Sequence, residues 1–450
     1  MNIAVILSAG NGSRFGSDIP KQFINLAGKN IIEYTIKAFE QHHLIDEICI
    51  VADTSFHSKL WNISTDNNFT KVKKIIAGAK ERKDSSYEAI KAYQDEENIN
   101  LIFHDGVRPF VSKKIITDTI QALGRYNAVD VAIPTADTII KVQNNIIDNI
   151  PKRSELLRGQ TPQGFKLKTI QKAHELSNQD KKPPLFTDDC GLVKQYLNED
   201  IYVVEGEEKN IKITYKEDLL FAEKLIQLNS TSLNVEVDYS NLNGKVIVIF
   251  GGNSGIGLDI VNIASKYGAK VISCSISTGT DITDSKNIQK ILKNTFDKYT
   301  KIDAVINTAA ILTKEPLIEM TEFAIVEEIT TNFTATVMIA KYSHHYLKDT
   351  KGSLILFTSS SYTRGRANYS LYSSTKAAVV NFSEAIASEW SNDKIKVNVM
   401  NPARTATPMR VKNFGDEKID TLLSSKVVAQ KTIDILLQDF SGLVIDIKKI

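Results

Sequence analysis

Three polar residues in the second half of the chain have types and spacing suited to moving a proton: Ser359, Tyr372 thirteen positions on, and Lys376 four positions after that. If Tyr372 opens a helix, Lys376 falls one turn later on the same face. A free phenol, with a pKa of about 10, is a poor acid-base group at neutral pH, and an adjacent ammonium is expected to favour its ionised form. Tyr372 would then exchange a proton with a carbonyl oxygen held by Ser359, while a nicotinamide delivers hydride to the carbon. Any one of the three is credible as an ordinary surface or strand-end polar group; the set is not.

A place for the nicotinamide cofactor is readable upstream, in Val248–Gly257 (VIFGGNSGIG), an apolar run entering a glycine-rich turn. Gly251, Gly255 and Gly257 would let a pyrophosphate approach the backbone, and Asn253, Ser254 and Ile256 would present amides at a helix start. The alternative for the loop alone is a tight strand-to-helix turn. Between Val271 and Thr280 no carboxylate stands where a ribose would need one, which favours NADPH over NADH. Ser273, Ser275 and Ser277 could donate to a 2′-phosphate, although that stretch has no arginine.

The first half holds a second glycine loop, Leu7–Gly16 (LSAGNGSRFG), followed by Pro20-Lys21-Gln22. Arg14 and Lys21 are cations just beyond a turn of phosphate-cradling type; the alternative is a plain turn with exposed basic residues. Asp105 follows the apolar run LIFH and begins DGVRP, so a carboxylate sits where an open α/β sheet presents ligands. Magnesium suits one or two carboxylates plus substrate phosphates, which makes Asp105 the expected metal ligand.

These groups need strands to carry them. Apolar runs at Ile3–Leu7, Glu47–Ala52, Leu101–His104 and Val129–Pro134, then at Val246–Phe250, Lys270–Cys274, Ala304–Asn307, Ser353–Thr358 and Lys396–Met400, alternate with helical patterns. The expected fold is therefore α/β, with two doubly wound domains and largely parallel sheets. The Asn- and Ser-rich stretch after the helix-like run Lys216–Ile226 marks a linker, giving a first domain at 1–228, a linker at 229–243 and a second domain at 244–450. A formal charge of +2 without a basic stripe argues against nucleic-acid binding. No apolar run is long enough to span a bilayer, and the N-terminus reads as a buried strand rather than a leader. Cys49, Cys190 and Cys274 lack metal-ligand spacing and read as buried, reduced thiols of a cytoplasmic protein.

The second half resembles the short-chain dehydrogenase/reductase family over roughly 243–450. The resemblance is carried by the Gly251/Gly255/Gly257 loop, Asp281, the NTAA run Asn307–Ala310, Asn332, Ser359, Tyr372, Lys376 and the NPARTATP run Asn401–Pro408. It implies that Asn332 holds a water in a proton relay and that Lys376 binds the nicotinamide ribose. It also puts Asp281 near the adenine, Thr407 near the carboxamide, and Asn307, Ala309, Ser275 and Pro402 along the cofactor. Phe250, NTAA and Ala403 depart from the family pattern.

The first half is similar to the cytidylyltransferases of the methylerythritol-phosphate type and their relatives acting on ribitol 5-phosphate. The motifs include SAGNGSRF with PKQ, AGAKERKDS, HDGVRPF, PTADTI, RGQTPQGF, FTDD and GEEKNIKITYKEDL. By this resemblance Arg14 and Lys21 contact the phosphates of CTP, while Ala9, Gly10, Gly12, Gly78, Ala79 and Ser85 surround the nucleotide with Asp105. Thr138, Arg153 and Lys212 surround the acceptor's phosphate, with Arg108 as a further substrate contact. Residues 137–160 form an arm that crosses to a second subunit in this family, so a homodimer is expected.

A reductase joined to a cytidylyltransferase makes sense if the ketone product is a phosphorylated alcohol. The whole chain resembles the bifunctional ribulose 5-phosphate reductase/CDP-ribitol pyrophosphorylases, which implies ribulose 5-phosphate, NADPH and CTP as small-molecule partners. A methylerythritol-phosphate enzyme fused to an unrelated reductase, or a scaffold with one inactive half, are the alternatives. The ketose phosphate needs a cation in the second half, and Arg364, Arg366, Arg404 and Arg410 fall in loops expected at the substrate mouth.

Overall fold

The computed structural model describes residues 1–10, 15–16, 19–182, 184, 186–232 and 237–449. The chain forms two compact units, Met1–Ala222 and Glu223–Ile450. The division falls inside the helix Lys216–Ser232, so residues 229–232 of the expected linker complete a helix. Tyr239–Leu242, also expected as linker, make a 3-10 turn of the second unit. There the Tyr239 hydroxyl donates to Asp434 at 2.5 Å and Leu242 is fully buried. Polar composition around these two side chains concealed that each has a packing partner. Residues 233–236 of the linker lie outside the described residues.

The first unit is a sheet of seven strands. They are β1 (Asn2–Leu7), β2 (Glu47–Ala52), β3 (Val72–Ala77), β4 (Asn100–Asp105), β5 (Ala128–Pro134), β6 (Leu157–Lys166) and β7 (Ile201–Glu205). Their spatial order is β7-β5-β6-β4-β1-β2-β3. Helices cover both faces. Ile3 and Val5 pack with Phe103 and Phe165 on one side, whereas Ala4 and Ile6 pack with Ile36 and Phe39 on the other. Burial on both faces is why β1 reads as an unbroken apolar run.

β6 runs antiparallel between β4 and β5, an exception to the expected parallel arrangement. It carries RGQTPQGF, whose polar residues gave no strand signal. A bulge lies between Gln160 and Gly164, and a Cβ on Gly164 would sit 2.9 Å from Leu123 Cδ1. The arm expected over 137–160 is thus shorter than its resemblance implied. Lys141–Gln143 and Ile146–Asn149 form an exposed hairpin, while Leu157–Gln160 belongs to the central sheet.

The second unit has six parallel strands, β8 (Val246–Phe250), β9 (Lys270–Cys274), β10 (Ala304–Asn307), β11 (Ser353–Phe357), β12 (Lys396–Pro402) and β13 (Val444–Ile447). Their order is β9-β8-β10-β11-β12-β13. Phe250, a departure from the family pattern, is fully buried beside Cys274, Val305 and Leu356. Burial of such a ring contributes about 1.5–3 kcal/mol, which explains an apolar residue at that strand end. Cys49, Cys190 and Cys274 are buried free thiols. Among the described residues no helix is long and apolar enough to cross a membrane.

Candidate active sites

In the first unit the C-terminal ends of neighbouring strands converge. Ser8 N donates to Val51 O at 2.8 Å, Gly78 N to Ala52 O at 2.9 Å and Gly106 N to Leu7 O at 2.8 Å. This stitching gathers Ser8–Gly10, Gly78–Ala79 and Asp105–Arg108, which the sequence keeps far apart. The loops touch so closely that a Cβ on Gly78 would lie 2.2 Å from Ala9 Cβ. Ala79 N donates to Ser85 Oγ at 3.0 Å, fastening the loop to the helix Arg82–Ala92. Gly78→Ala is expected to destabilise the first unit by about 1–3 kcal/mol through overpacking and to weaken CTP binding. Chemical denaturation and CTP titration check this, and unchanged values in both would mean the two loops can part without cost.

Cations crowd the same edge. Lys21 Nζ donates to Ile213 O at 3.2 Å, and the adjacent Lys212 reaches Asp105 Oδ2 at 3.1 Å. Arg108 Nε meets the same oxygen at 3.1 Å, and Arg82 Nε stands 3.9 Å from Oδ1. Burial pushes the Asp105 carboxyl up, but Lys212, Arg82 and Arg108 together outweigh it and hold the group well below the usual carboxylate range. Arg108 is itself buried and also donates to Asn210 O at 2.8 Å. Its geometry is that of a brace between Asp105 and Asn210.

Magnesium does not fit Asp105 as that carboxylate stands. Three cations share its two oxygens, and a divalent ion would have to displace or repel them.

Arg82 was not singled out as a site residue. Its NH1 donates to Asp189 Oδ2 at 2.6 Å, and Ser86 Oγ donates to the same oxygen at 3.0 Å. The partner lies 107 positions away, so no spacing rule could have paired them. Thr138 and Arg153 sit exposed on the arm, where Arg153 NH1 donates to Ala136 O at 3.3 Å. Gly10 is exposed, and Gly12 and Arg14 lie outside the described residues.

The second unit opens a cavity of about 1310 Å³ over the strand ends. Gly251, Asn253, Ser254, Gly255, Ile256 and Gly257 line one part of it; Ser275, Asp281 and Ala309 line the next. Ser359, Tyr372, Lys376, Pro402 and Thr407 complete the wall, together with Arg366, Arg404 and Arg410. Arg364 is not on this wall; it is exposed at the end of the 3-10 turn Ser360–Thr363.

The glycines have separate reasons. A Cβ on Gly257 would fall 2.2 Å from Gly251 O, and one on Gly251, whose φ is +84°, would fall 2.6 Å from Ala309 N. Thr308, the second residue of NTAA, donates its hydroxyl to Phe250 O and Gly251 O, both at 3.1 Å. That departure from the family pattern therefore supports the loop. Asn307 stands behind the wall, accepting from Ala309 N at 3.1 Å and donating to Thr336 Oγ1 at 3.0 Å. It positions the lining through Ala309.

Tyr372 is the third residue of the helix Ser370–Glu389, and Lys376 follows one turn on. Lys376 Nζ lies 5.6 Å from the centre of the Tyr372 ring and donates to Phe357 O at 2.9 Å. Burial pushes the phenol up to about 12, against the opposing effects of the Ser359 hydroxyl and the Arg410 charge. Burial pushes Lys376 down to about 8. Desolvation is the largest effect on both groups, and it favours the neutral form of each.

Asn332 lies in a π-helical turn, and its amide is fully engaged: it accepts from Ile311 N and donates to Ile311 O, both at 2.8 Å. One turn earlier, buried Glu328 accepts from Thr313 N at 3.2 Å. The two side chains clamp the loop that floors the cavity. Burial raises the Glu328 carboxyl above its usual range, with the Thr313 bonds opposing. A raised folded pKa means that the folded state binds more protons than the unfolded state above the ordinary glutamate range, so stability falls as pH rises there. Glu328→Gln is expected to raise the melting temperature at pH 8 and change it little at pH 4. An equal shift at both pH values would refute a cost of ionisation.

These two sites match two known families. Residues 2–228 match the family described as 2-C-methyl-D-erythritol 4-phosphate cytidylyltransferase, and residues 276–418 match the family described as short chain dehydrogenase. A 2-C-methyl-D-erythritol 4-phosphate cytidylyltransferase of Clostridium tetani is 40% identical over 227 residues, 50% of this chain and 90% of its own length. The solved 4-diphosphocytidyl-2C-methyl-D-erythritol synthase of Anaerococcus prevotii covers 50% of this chain and 96% of its own, at 30% identity and a TM-score of 0.45. Fold and sites define a two-domain enzyme, a cytidylyltransferase domain followed by a short-chain dehydrogenase domain that takes a nicotinamide cofactor.

One relative spans both. A bifunctional ribulose 5-phosphate reductase/CDP-ribitol pyrophosphorylase of Haemophilus influenzae is 45% identical over 457 aligned positions, 99% of this chain and 95% of its own length. The chain belongs to the family of bifunctional ribulose 5-phosphate reductase/CDP-ribitol pyrophosphorylases.

Proposed function

We propose that this enzyme reduces ribulose 5-phosphate with NADPH to ribitol 5-phosphate and then joins that product to CMP from CTP, releasing CDP-ribitol and pyrophosphate. The observation that carries the reading is likeness at 45% identity across both halves at once, over 99% of the chain. The methylerythritol-phosphate enzymes match half of it.

In the reductase, the bound nicotinamide supplies hydride. Ser359 holds the ketone oxygen and Tyr372 donates the proton that the new alkoxide takes. A phenol pushed up to about 12 is protonated at neutral pH, which is the state an acid needs in the direction of reduction. Asn332, Glu328 and Asn307 keep the cavity floor in place. The preference for NADPH is supported by the hydroxyl cluster at the end of β9 and just beyond it: Ser273 Oγ donates to Asn253 Oδ1 at 2.7 Å, and the Ser275 and Ser277 hydroxyls are 2.8 Å apart. No carboxylate occurs between Val271 and Thr280 to repel a 2′-phosphate.

In the transferase, the acceptor's phosphate oxygen attacks the α-phosphorus of CTP and the bond to pyrophosphate breaks, so no protein nucleophile is needed. Lys21 and Arg14 stabilise the charge that grows on the phosphoryl oxygens, and Lys212 with the arm residues Thr138 and Arg153 faces the acceptor phosphate. Magnesium bound with the phosphates of CTP would add to this neutralisation of charge. The exposed Ile146, Ile147 and Ile150 of the arm support a homodimer, since apolar side chains clustered on a hairpin favour burial against a partner. Buried free thiols suit a reducing cytoplasm.

The test is incubation with ribulose 5-phosphate, NADPH and CTP, with nucleotide products separated by chromatography. CDP-ribitol is expected. Formation of CDP-methylerythritol from methylerythritol phosphate, with no CDP-ribitol, would overturn the proposal in favour of the fused alternative.

A further inference from the structure

The cavity wall of the second unit contains a charge cluster that the proposed chemistry does not use. The short helix Pro408–Phe414 ends at Gly415, whose φ of +70° turns the chain back on itself in a region that favours glycine. The reversal returns Glu417 to the preceding turn. There Glu417 accepts from Arg410 Nε at 2.5 Å and from Arg410 NH2 at 3.0 Å, the two-pronged geometry of a guanidinium holding an oxyanion. Arg404 NH1 approaches the same carboxylate at 3.4 Å. The Arg410 guanidinium also lies 3.9 Å from the centre of the Phe414 ring, which fixes its plane.

Both arginines line the cavity that contains Ser359 and Tyr372, and the Arg410 charge bears on the Tyr372 phenol. The cations of the wall thus already hold a carboxylate, the kind of oxyanion that a substrate group could replace. The Arg410 bonds hold the Glu417 carboxyl below its usual range, so it is a full anion at neutral pH. Glu417 is half-buried, with a side chain 21% exposed, so it can leave toward solvent. The two guanidinium charges exceed what one carboxylate neutralises. A phosphate monoester, carrying about −1.5 to −2 near pH 7, matches them better.

We propose that Arg410 and Arg404 seat the phosphate of the ketose substrate and that Glu417 occupies this seat until the phosphate displaces it. The inference rests on the reading of the second unit as a ketose-phosphate reductase and assigns a specificity device within it. A ketose without a phosphate leaves Glu417 in place and has no claim on either guanidinium. Phosphate on the substrate thus determines both affinity and the opening of the wall.

The experiment measures the Michaelis constant for ribulose 5-phosphate, inhibition of its reduction by inorganic phosphate, and the affinity for NADPH by fluorescence titration. Arg410→Ala is expected to raise the Michaelis constant about tenfold or more, the loss appropriate to a charged hydrogen bond, and to weaken inhibition by phosphate. Arg410→Lys keeps the charge without the fork and should recover part of the loss. Glu417→Gln is expected to lower the Michaelis constant several-fold and strengthen phosphate inhibition, because the competitor has lost its charge. Unchanged NADPH affinity shows that each variant is folded. If Arg410→Ala keeps the parent Michaelis constant, or Glu417→Gln raises it, the inference is overturned while the reductase reading stands. Failure of the parent enzyme to reduce ribulose 5-phosphate would overturn the reading itself, and this assignment with it.

Discussion

Tyr372→Phe is expected to slow ribulose 5-phosphate reduction by about 10²–10⁴-fold, the usual contribution of a positioned general acid, while cytidylylation of supplied ribitol 5-phosphate proceeds at the parent rate. The substitution removes one hydroxyl from a half-buried ring near the start of the helix Ser370–Glu389. Lys376 keeps its bond to Phe357 O, so the wall of the cavity is expected to persist. NADPH affinity should therefore stay near the parent value, and oxidation of NADPH followed by absorbance isolates the chemical step. Reduction at close to the parent rate would remove Tyr372 from the role of acid and shift attention to water in the cavity.

Lys21→Ala is expected to lower CDP-ribitol formation by about 10²–10³-fold, the cost typical of losing one donor to a growing oxyanion, without slowing ketone reduction. Ribitol 5-phosphate should then accumulate in a mixture containing both sets of substrates. The variant also loses the bond from Lys21 Nζ to Ile213 O, a contribution of about 1 kcal/mol. A melting curve separates that structural loss from the catalytic one, because a modest stability change cannot account for a hundredfold fall in turnover at saturating CTP. Normal pyrophosphate release under that condition would refute Lys21 as a catalytic cation.

Much of the fold could be read along the chain because its central strands are buried on both faces. Val246–Phe250 has no exposed residue and Ile3–Ile6 none either, so composition alone marks them as strands. β6 escaped that reading: RGQTPQGF is polar, yet seven strands close into one sheet only with it in the middle. Its polar groups are satisfied across the sheet, as where Gln163 Nε2 donates to Asp130 at 3.0 Å. A pairing between residues 33 positions apart leaves no local signal.

The order of chemistry-bearing residues was settled by the sequence itself: a glycine loop with Lys21, a carboxylate at the end of β4, then a second glycine loop with Ser359, Tyr372 and Lys376. Local spacing determines such features, since a turn or one helical repeat spans only a few residues. What those residues experience was decided in three dimensions. Asp105 is held by three cations from three separate segments, Arg108 also reaches Asn210 O and Asn307 reaches Thr336, and Glu417 answers two arginines of the cavity wall. The Tyr372 phenol is likewise pushed up by burial, which depends on every element packed around it. Spacing along the chain specifies which groups can meet; desolvation and long-range neighbours, which only the folded chain supplies, determine their charge and their work.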